Sequence, residues 1–200
     1  MVISKNSSLD LSVINALEDV GFNFIESWIY NKYNLQKLKP KSQKLLNLRE
    51  ANIKDLDYMI EFSKGAFATQ RFHADKNIST EKAESLYVKW IKTSFESNNQ
   101  KTLVYDHNNT PSAFMTYYLS DLTKDFNLHF AMWKMALLNP EIRGIGIGAL
   151  FFDSLFDYHR KEGCDFVDSG LSLRNIASLN LHNKINFKTI SSTTSLHLWV

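Results

Sequence analysis

Three glycines at alternate positions are the part of this sequence with the clearest chemical meaning. Gly144, Gly146 and Gly148 follow the apolar run "HFAMWKMALL" and precede the amphipathic run "ALFFDSLFDYHRK". A glycine-rich turn between a strand and a helix lets the backbone approach an anion, and the free amides at the helix start point at that anion. Arg143, directly before the first glycine, adds a positive charge. The pattern indicates a phosphate site; the alternative is a helix start whose glycines only permit tight packing.

The spacing of the glycines excludes two common phosphate motifs. A P-loop has Lys and then Ser or Thr after its last glycine, whereas Ala149 follows Gly148 here. The dinucleotide fingerprint is Gly-x-Gly-x-x-Gly, whereas the spacing here is Gly-x-Gly-x-Gly. The phosphate group therefore belongs to another kind of ligand.

Histidines are the candidate proton acceptors, because an imidazole changes charge near neutral pH. In a regular strand, His129 would share one face with Ala131, Trp133, Met135 and Leu137, and it would be the polar member of that face. Such a histidine is either a general base or a hydrogen-bonded structural residue.

The segment "RFHAD" at residues 71–75 combines a cation, an aromatic ring, an imidazole and a carboxylate. In a functional interpretation, Arg71 binds a phosphate, Phe72 stacks on a flat ring and His73 lies near an amine. In a structural interpretation, a pair between Arg71 and Asp75 holds the loop. The sequence leaves both open.

The composition is that of an ordinary globular protein. The chain has 200 residues, of which 44% are hydrophobic and 22% are charged, so we expect one domain or one domain with a small annex. A net charge of +2 does not favour a nucleic-acid partner. No apolar run approaches the roughly 20 residues that span a bilayer, and no secretory signal is visible. We therefore expect a cytoplasmic protein with no membrane partner. Cys164 is the single cysteine, and no metal site is expected.

Periodicity and turn residues predict an α/β protein with a mixed central sheet. Residues 1–44 are predicted to form a small N-terminal annex, with a helix over 10–20, the strand "FNFIESWIY" and a lysine-rich connection. Residues 45–200 are predicted to follow the order β-α-α-β-β-β-α-β-α-β-β, with a loop at 68–79 and a closing strand pair, "FKTIS" and "TSLHLWV". The glycine row falls where the long strand meets a helix.

Two motifs in the C-terminal half resemble the GCN5-related N-acetyltransferases (GNAT). The acyl-CoA loop of that family, Arg/Gln-x-x-Gly-x-Gly/Ala, is similar to Arg143, Gly146 and Gly148. Its later motif, Asn-x-x-Ala-x-x-Leu-Tyr-x-Lys-x-Gly-Phe, is matched in spacing by Asn175, Ser178, Leu181, His182, Lys184, Asn186 and Phe187. The resemblance covers about residues 45–200. It implies the GNAT fold, in which two strands of a mixed sheet splay apart to bind acyl-CoA.

The resemblance also implies roles for particular residues. The residues that would contact CoA are Leu137, Leu138, Arg143, Gly144, Ile145, Gly146, Ile147, Gly148, Ala149, Asn175 and Ser178. His182 stands where the family often has a tyrosine that protonates the departing CoA sulfur, so it either serves as that acid or packs at the cofactor edge. Asn186 replaces a turn glycine, and Asn tolerates left-handed backbone geometry.

A second resemblance concerns the acceptor. The stretch "GAFATQRFHADKNISTEKAESLYVKWIKTSF" and the ending "STTSLHLWV" are similar to sugar-nucleotide N-acyltransferases such as dTDP-fucosamine acetyltransferase. This implies transfer of acetyl or a short acyl such as 3-hydroxybutyryl to a dTDP-linked amino-6-deoxysugar for bacterial surface polysaccharide. Arg71, Phe72 and His73 would bind the acceptor, and His129 or His73 would assist proton removal. The alternatives are a protein, peptide or polyamine acceptor, and a non-catalytic acyl-CoA-binding module. A homodimer is plausible.

Overall fold

One mixed β-sheet organises the chain. The computed structural model describes residues 1–37, 45–121 and 127–200, so most of the predicted lysine-rich connection lies outside the described residues. The strands are β1 (Val2–Ser7), β2 (Asn23–Asn34), β3 (Leu48–Glu50), β4 (Gln100–His107), β5 (Thr110–Asp121), β6 (His129–Leu138), β7 (Phe166–Ser172) and β8 (Lys188–Leu198). The helices are α1 (Leu11–Asp19), α2 (Leu56–Ser63), α3 (Arg71–Ala74), α4 (Thr80–Glu96), α5 (Ile147–Lys161) and α6 (Ile176–Lys184).

The strand order across the sheet is β1-β8-β2-β7-β6-β5-β4-β3. Among these described strands, β6 and β7 are the one parallel pair, and every other neighbouring pair is antiparallel. The α/β class with a mixed sheet is confirmed. No helix in the described parts of the chain is long and apolar enough to cross a membrane.

Three elements differ from the sequence expectations. Strand β1 was not predicted, the predicted loop contains the short helix α3, and the predicted closing pair is the single strand β8. The polar run "SSTTS" suggests a break between two strands. In the structure β8 lies between β1 and β2, and its backbone pairs on both sides through that polar run. Local composition carries no signal for this long-range pairing.

The N-terminal annex enters the sheet. Strand β2 lies between β7 and β8, and the connection β1-α1-β2 passes β8 to reach that place. Tyr33 of β2 stacks on Phe156 of α5 with ring centroids 4.2 Å apart, and Leu35 is fully buried in the same core. The division into residues 1–44 and 45–200 stays a prediction; residues 1–37 share both the sheet and the core of the rest.

Helices cover the two faces of the sheet and bury a separate apolar cluster on each. The first cluster includes Trp133, Phe151 and Phe156 and lies under α5. The second includes Tyr87 and other residues of α2 and α4, together with Phe67 from the turn after α2. The acyl-CoA loop and the "RFHAD" segment therefore belong to opposite faces, and a ligand that reaches both must pass through the sheet.

A β-bulge in β6 corrects the predicted face of that strand. Thr116 of β5 pairs with Met135, and Tyr117 pairs with Trp133, so Lys134 is an extra residue in β6. Trp133 therefore packs in the first cluster, whereas Met135 packs against the second. The predicted common face from His129 to Leu137 is wrong, because the bulge reverses the alternation at Lys134.

Asparagines adopt left-handed backbone geometry at two turns. Asn108 and Asn109, with φ of 51° and 63°, join β4 to β5 in a two-residue hairpin. Asn186, which replaces the family's glycine, has φ of 65°. The expectation that Asn preserves this turn is confirmed.

Removal of the Phe156 side chain should destabilise the fold. Its ring contacts Tyr33 at 4.2 Å and Trp133 at 5.4 Å, and only 1% of the residue is exposed. We expect Phe156→Ala to lower the free energy of unfolding by about 3–5 kcal/mol, measured by urea denaturation. Leu9→Ala, at a residue that is 88% exposed, is the control and should change stability by no more than about 0.5 kcal/mol. Equal effects would contradict the packing described.

Stability should fall in mild acid because of His159. Trp133 Nε1 donates to His159 Nε2 at 2.9 Å, and burial lowers the pKa of this imidazole from 6.5 to about 3. Below about pH 6.5 the unfolded chain binds a proton at His159 that the folded chain does not bind. The free energy of unfolding is therefore at its full value above that pH and decreases as the pH falls towards 3. The expected slope is about 1.4 kcal/mol per pH unit.

His159→Gln should remove that part of the acid sensitivity. The measurement is the free energy of unfolding between pH 7 and pH 4 in both proteins, where burial also lowers the pKa of His182 and leaves a residual slope. Identical slopes in the two proteins would show that His159 is not held neutral by the fold.

Candidate active site

Strands β6 and β7 diverge at the centre of the molecule. They pair from Phe130 with Phe166 to Trp133 with Ser169, and no later pair follows although both strands continue. A cavity of about 520 Å³ occupies the gap, lined on one side by residues 133–138 and on the other by residues 169–171. Backbone groups along both strands therefore face the cavity without a strand partner between them, as the resemblance implied.

The glycine row forms the mouth of this cavity. Gly144 and Gly146 have φ of 80° and 87°, and a Cβ atom on either would meet nothing within 4 Å. Helix α5 begins at Ile147 with Gly146 as its N-cap, and no side chain caps the amides of its first turn. Those amides, together with the positive end of the helix dipole, fit a phosphate group.

Arg143 braces the loop from within. Its Nε and Nη2 atoms both donate to the carbonyl oxygen of Leu138, at 3.0 and 2.8 Å. The side chain therefore closes the turn between β6 and α5, and it also lines the cavity. Its positive charge stays at the mouth, while two of its N–H groups hold the backbone in place.

The structure brings most of the predicted CoA residues to the cavity wall. Those that line it are Leu137, Leu138, Arg143, Gly144, Gly148, Asn175 and Ser178. The other predicted residues, Ile145, Gly146, Ile147 and Ala149, lie in the same turn and the first turn of α5. Asn175 Oδ1 accepts from the Ser178 amide at 3.1 Å, so this asparagine also caps α6.

His182 lies in the cavity wall, and both of its ring nitrogens are engaged. Nδ1 donates to the carbonyl oxygen of Ser178 at 2.8 Å, which leaves Nε2 to accept from the hydroxyl of Ser169 at 2.9 Å. Burial lowers the pKa of this histidine, so the ring is neutral at pH 7. The ring has no further N–H to offer a thiolate. Ser169, the last residue of β7 that pairs with β6, also lines the cavity and was missed in the sequence.

The predicted acceptor residues in "RFHAD" do not line the cavity wall. Phe72 is only 8% exposed and lies between Trp90 at 5.9 Å and Tyr87 at 6.3 Å, so its ring is not open for stacking on a substrate. His73 Nε2 contacts Glu84 at 3.1 Å, and its ring stacks on Tyr87. Arg71 lies over the Phe72 ring at 4.7 Å. Helix α3 turns these side chains into the second cluster.

The structural interpretation of that segment was also wrong in its partners. Asp75 does not depend on Arg71 in this structure: its Oδ2 accepts from His197 Nδ1 at 2.7 Å and from Trp199 Nε1 at 2.9 Å. The loop is thus held to the end of β8. His197 and Trp199 lie 122 and 124 positions after Asp75 in the sequence. The spacing of residues 71–75 carries no signal for partners at that separation.

The structure also does not bring His129 to the cavity. This residue begins β6, where it is exposed and its amide donates to Asp165 Oδ2 at 2.9 Å. The glycine row follows the C-terminal end of β6, whereas His129 is at the N-terminal end. From His129 to Lys134, which lines the cavity, the strand runs five residues, or about 17 Å. A catalytic role of His129 or His73 stays a prediction that this geometry does not favour.

Aromatic side chains form another wall of the cavity, which the sequence analysis missed and which we call the acceptor wall. Trp28, Phe67, Tyr87 and Trp90 line the cavity on the face of α4, and Gln70 adds an amide. The indole of Trp28 lies so close over Gly170 that a Cβ atom there would overlap it. A glycine inside a strand often marks such a close approach, so "VDSGLSL" carried a signal for Gly170 but not for its partner.

Comparison with known proteins agrees with this geometry. Residues 66–187 match the model of the acetyltransferase (GNAT) family. The chain belongs to this family. A search of the curated proteins found no match.

Solved structures share the GNAT fold at low sequence identity. A conserved protein of unknown function from Staphylococcus epidermidis ATCC 12228 is 12% identical with a TM-score of 0.67, covering 96% of this chain and 68% of that one. A GNAT acetyltransferase from Colwellia psychrerythraea is 14% identical with a TM-score of 0.61, covering 97% and 63%. A GCN5-related N-acetyltransferase from Sphaerobacter thermophilus is 11% identical with a TM-score of 0.62, covering 98% and 58%. This GNAT chain spans less than two thirds of the last two proteins.

Membership of the GNAT family identifies the reaction class. That class is the transfer of an acyl group from acyl-CoA to an amine. The GNAT resemblance is confirmed, whereas the resemblance to sugar-nucleotide enzymes stays a prediction. Within the described residues, no group of His, Cys, Asp and Glu side chains could hold a metal ion.

A β-carbon at Gly146 should weaken binding of CoA. Its φ of 87° strains any L-residue, and the change alters the amides at the start of α5. We expect Gly146→Ala to raise the KM for acetyl-CoA at least 10-fold, measured by release of free thiol. Gly163→Ala is the matched control, because Gly163 has φ of 82° and equally open surroundings at the other end of α5. It should cost similar stability and leave that KM unchanged; equal effects on KM would contradict the site.

Proposed function

We propose that this GNAT enzyme transfers acetyl or a short acyl group, such as 3-hydroxybutyryl, from CoA to the amine of a dTDP-linked amino-6-deoxysugar. The observation that carries the proposal is the aromatic acceptor wall beside the diverging strands. Flat aromatic faces fit the apolar faces of sugar and base rings. The resemblance of residues 65–95 to sugar-nucleotide N-acyltransferases gives the same class of acceptor, and with it a role in bacterial surface polysaccharide synthesis.

The donor would occupy the glycine row and the open strand edges. The first-turn amides of α5 would hold the pyrophosphate, and Arg143 would add charge at the mouth. The pantetheine arm would lie between β6 and β7 and pair with the backbone near Leu137 and Leu138, as an added strand does. The acyl carbon would then lie near the point where the strands separate, at Trp133 and Ser169.

The acceptor would approach from the opposite face. Trp28 and Trp90, the more exposed rings of this wall, would enclose its ring, and Lys134, which also lines the cavity, would supply a charge for its diphosphate. Lys134 is the bulged residue of β6, so the bulge places a cation beside the point of transfer. This replaces Arg71 in the phosphate role expected from the sequence.

The Ser169–His182 pair fits the departure of the CoA thiolate. The neutral amine attacks the thioester carbon, the C–S bond breaks, and its electron pair leaves on sulfur. The Ser169 hydroxyl would turn its proton from His182 Nε2 to that sulfur and recover one from the new amide nitrogen, so that amide and thiol are the only products. His182 would hold the hydroxyl through Nε2 and act as a positioning residue.

A cytoplasmic location and a homodimer remain predictions that accompany this proposal. The sheet ends in β1 and β3, and either edge could serve a second copy.

A substrate panel tests the proposed acceptor. We would incubate the protein with acetyl-CoA or 3-hydroxybutyryl-CoA and with dTDP-linked amino-6-deoxysugars, spermidine or a lysine peptide, and measure free CoA and product mass. We expect a dTDP-amino sugar to be acylated with a kcat/KM at least about 10-fold above that of the other amines. Turnover of only spermidine or the peptide would overturn the sugar proposal, and tight CoA binding without any turnover would indicate a non-catalytic module.

A single aromatic change separates acceptor binding from donor binding. Trp28→Ala removes part of the acceptor wall but leaves the glycine row, so the KM for the acceptor should rise about 10-fold while the KM for acetyl-CoA stays within about twofold. Equal increases in both would show that Trp28 does not belong to the acceptor side.

A further inference from the structure

A buried polar layer lies next to the acceptor wall. Strands β2 and β8 pair Trp28 with Thr193 and Glu26 with Ser195, and paired residues share one face of the sheet. His197 follows Ser195 by two positions and shares that face. We call Glu26, Thr193, Ser195 and His197 the polar layer; of these, Glu26 is 1% exposed, and Ser195 and His197 are fully buried.

Each member of the polar layer has a buried atom without a hydrogen-bond partner among the described residues. These atoms are Glu26 Oε2, Thr193 Oγ1, Ser195 Oγ and His197 Nε2. Buried polar atoms in proteins are nearly always paired with protein or ordered water, because an unpaired one carries a desolvation cost. Four such atoms on one face need ordered water, or the polar end of a ligand, as their partners.

Glu26 is the acidic member of the layer, and its other contacts are specific. It accepts a hydrogen bond from Ser172 of β7, and burial nevertheless raises its pKa above the ordinary value of 4.5. The charged groups around it are Lys5 on β1, Arg174 after β7 and Arg71 on α3. From α4, Tyr87 faces it: burial raises the pKa of the phenol, and the Glu26 charge raises it further. From β8, His197 carries the Asp75 carboxylate on its other nitrogen, at 2.7 Å.

The polar layer continues directly from the cavity. Trp28, two residues from Glu26 on the same face, lines the cavity, as do Tyr87 and Gly170. Ser172, which donates to Glu26, pairs with Trp28 across β7 and β2. Glu26 therefore lies one strand repeat, about 7 Å, behind the acceptor wall. A chain of hydrogen-bonded waters, each adding about 2.8 Å, spans such a gap between a carboxylate and an amine.

We propose that Glu26 is the proton acceptor for the amine substrate, acting through a chain of water molecules in the polar layer. An amine reaches the site as R–NH3⁺, which cannot attack a thioester because its electron pair is bound to hydrogen. The Glu26 carboxylate takes one proton through the water chain and becomes a carboxylic acid, leaving R–NH2 to form the C–N bond. Glu26 then releases that proton to solvent, so the reaction yields amide, CoA thiol and one H⁺.

The proposal rests on amine acylation by this GNAT enzyme and not on the identity of the sugar. A carboxylate behind an aromatic wall also attracts an ammonium group, so the same residue would orient the acceptor. Asp75 and His197 would fix the far side of the water chain, since His197 Nδ1 donates to Asp75 and Nε2 is left facing the layer.

The test is the pH profile of Glu26→Gln, which keeps the shape of the side chain. With acetyl-CoA and the best amine from the panel above, we expect kcat to fall about 100-fold at pH 6.5, within the range for a lost general base. The loss should shrink to below about fivefold near pH 9.5, where more of the amine is neutral without help. Glu26→Asp should retain the acidic limb of the wild-type profile.

Asp168→Asn is the matched control. Asp168 is a half-buried carboxyl group of the neighbouring strand β7, and burial raises its pKa too, but it pairs with Lys32 and lies outside the cavity wall. It should leave the profile unchanged. A Glu26→Gln profile that matches the wild type within about threefold at every pH would overturn the proposal, as would an equal loss in Asp168→Asn.

A measurement without substrate separates this proposal from the proposed acceptor. Infrared titration of the protein should show a protonated carboxyl band with a midpoint above the ordinary glutamate value of about 4.3, and Glu26→Gln should lack it. If dTDP-amino sugars fail and another amine is acylated, the acceptor proposal fails while the pH profile with that amine still tests Glu26. If no amine is acylated, absence of the Glu26 band overturns the proposal and its presence supports it.

Discussion

The arrangement of the candidate active site depends on the backbone hydrogen bonding between strands β6 and β7. Strands β6 and β7 pair over four residues and then separate, which leaves amides and carbonyls in the middle of a sheet without strand partners. Buried backbone groups need partners, so a gap of this kind is stable only when solvent or a ligand can reach it. The glycine row, the Lys134 bulge and the helix start at Ile147 all lie at the edges of that gap.

The Lys134 bulge makes the gap accessible from both faces of the sheet. Trp133 closes the first cluster beneath α5, and one bulged residue later Met135 joins the opposite cluster. The donor loop and the acceptor wall can therefore meet at one point although they belong to different faces. A regular strand would place Trp133, Met135 and Leu137 together and would separate the two halves of the site.

Local patterns predicted the donor half of the site better than the acceptor half. The glycine row and the Asn186 turn depend on residues close in sequence, so their conformations follow from local sterics and helix-end electrostatics. The position of Trp28 over Gly170 depends on β2 entering the sheet beside β7, which no periodicity shows. The β-bulge at Lys134 could not be predicted either. With one extra residue, the alternating apolar pattern of β6 remains compatible with either face of the sheet.

The histidines look equivalent in the sequence, but in the structure they differ in burial. His159 is held neutral beside Trp133, and His73 stacks on Tyr87 of the second cluster. His129 is exposed at the N-terminal end of β6. Among the predicted catalytic histidines, only His182 lines the cavity within the described residues, and there it presents Ser169 rather than its own N–H. The residue type indicates proton chemistry, but the tertiary fold decides which imidazole is in a position to perform it.

The place of β2 in the sheet has a consequence for how this enzyme could diversify. The segment that defines the family, residues 66–187, contains the glycine row and α4 but neither Trp28 and Glu26 nor the polar residues of β8. In the proposed function, part of the acceptor side is therefore encoded in the two flanks of the chain, while the donor side is encoded between them. Under that proposal, exchange of the flanks between relatives would alter the accepted amine and leave the use of CoA intact, and a family match to residues 66–187 would not detect the change.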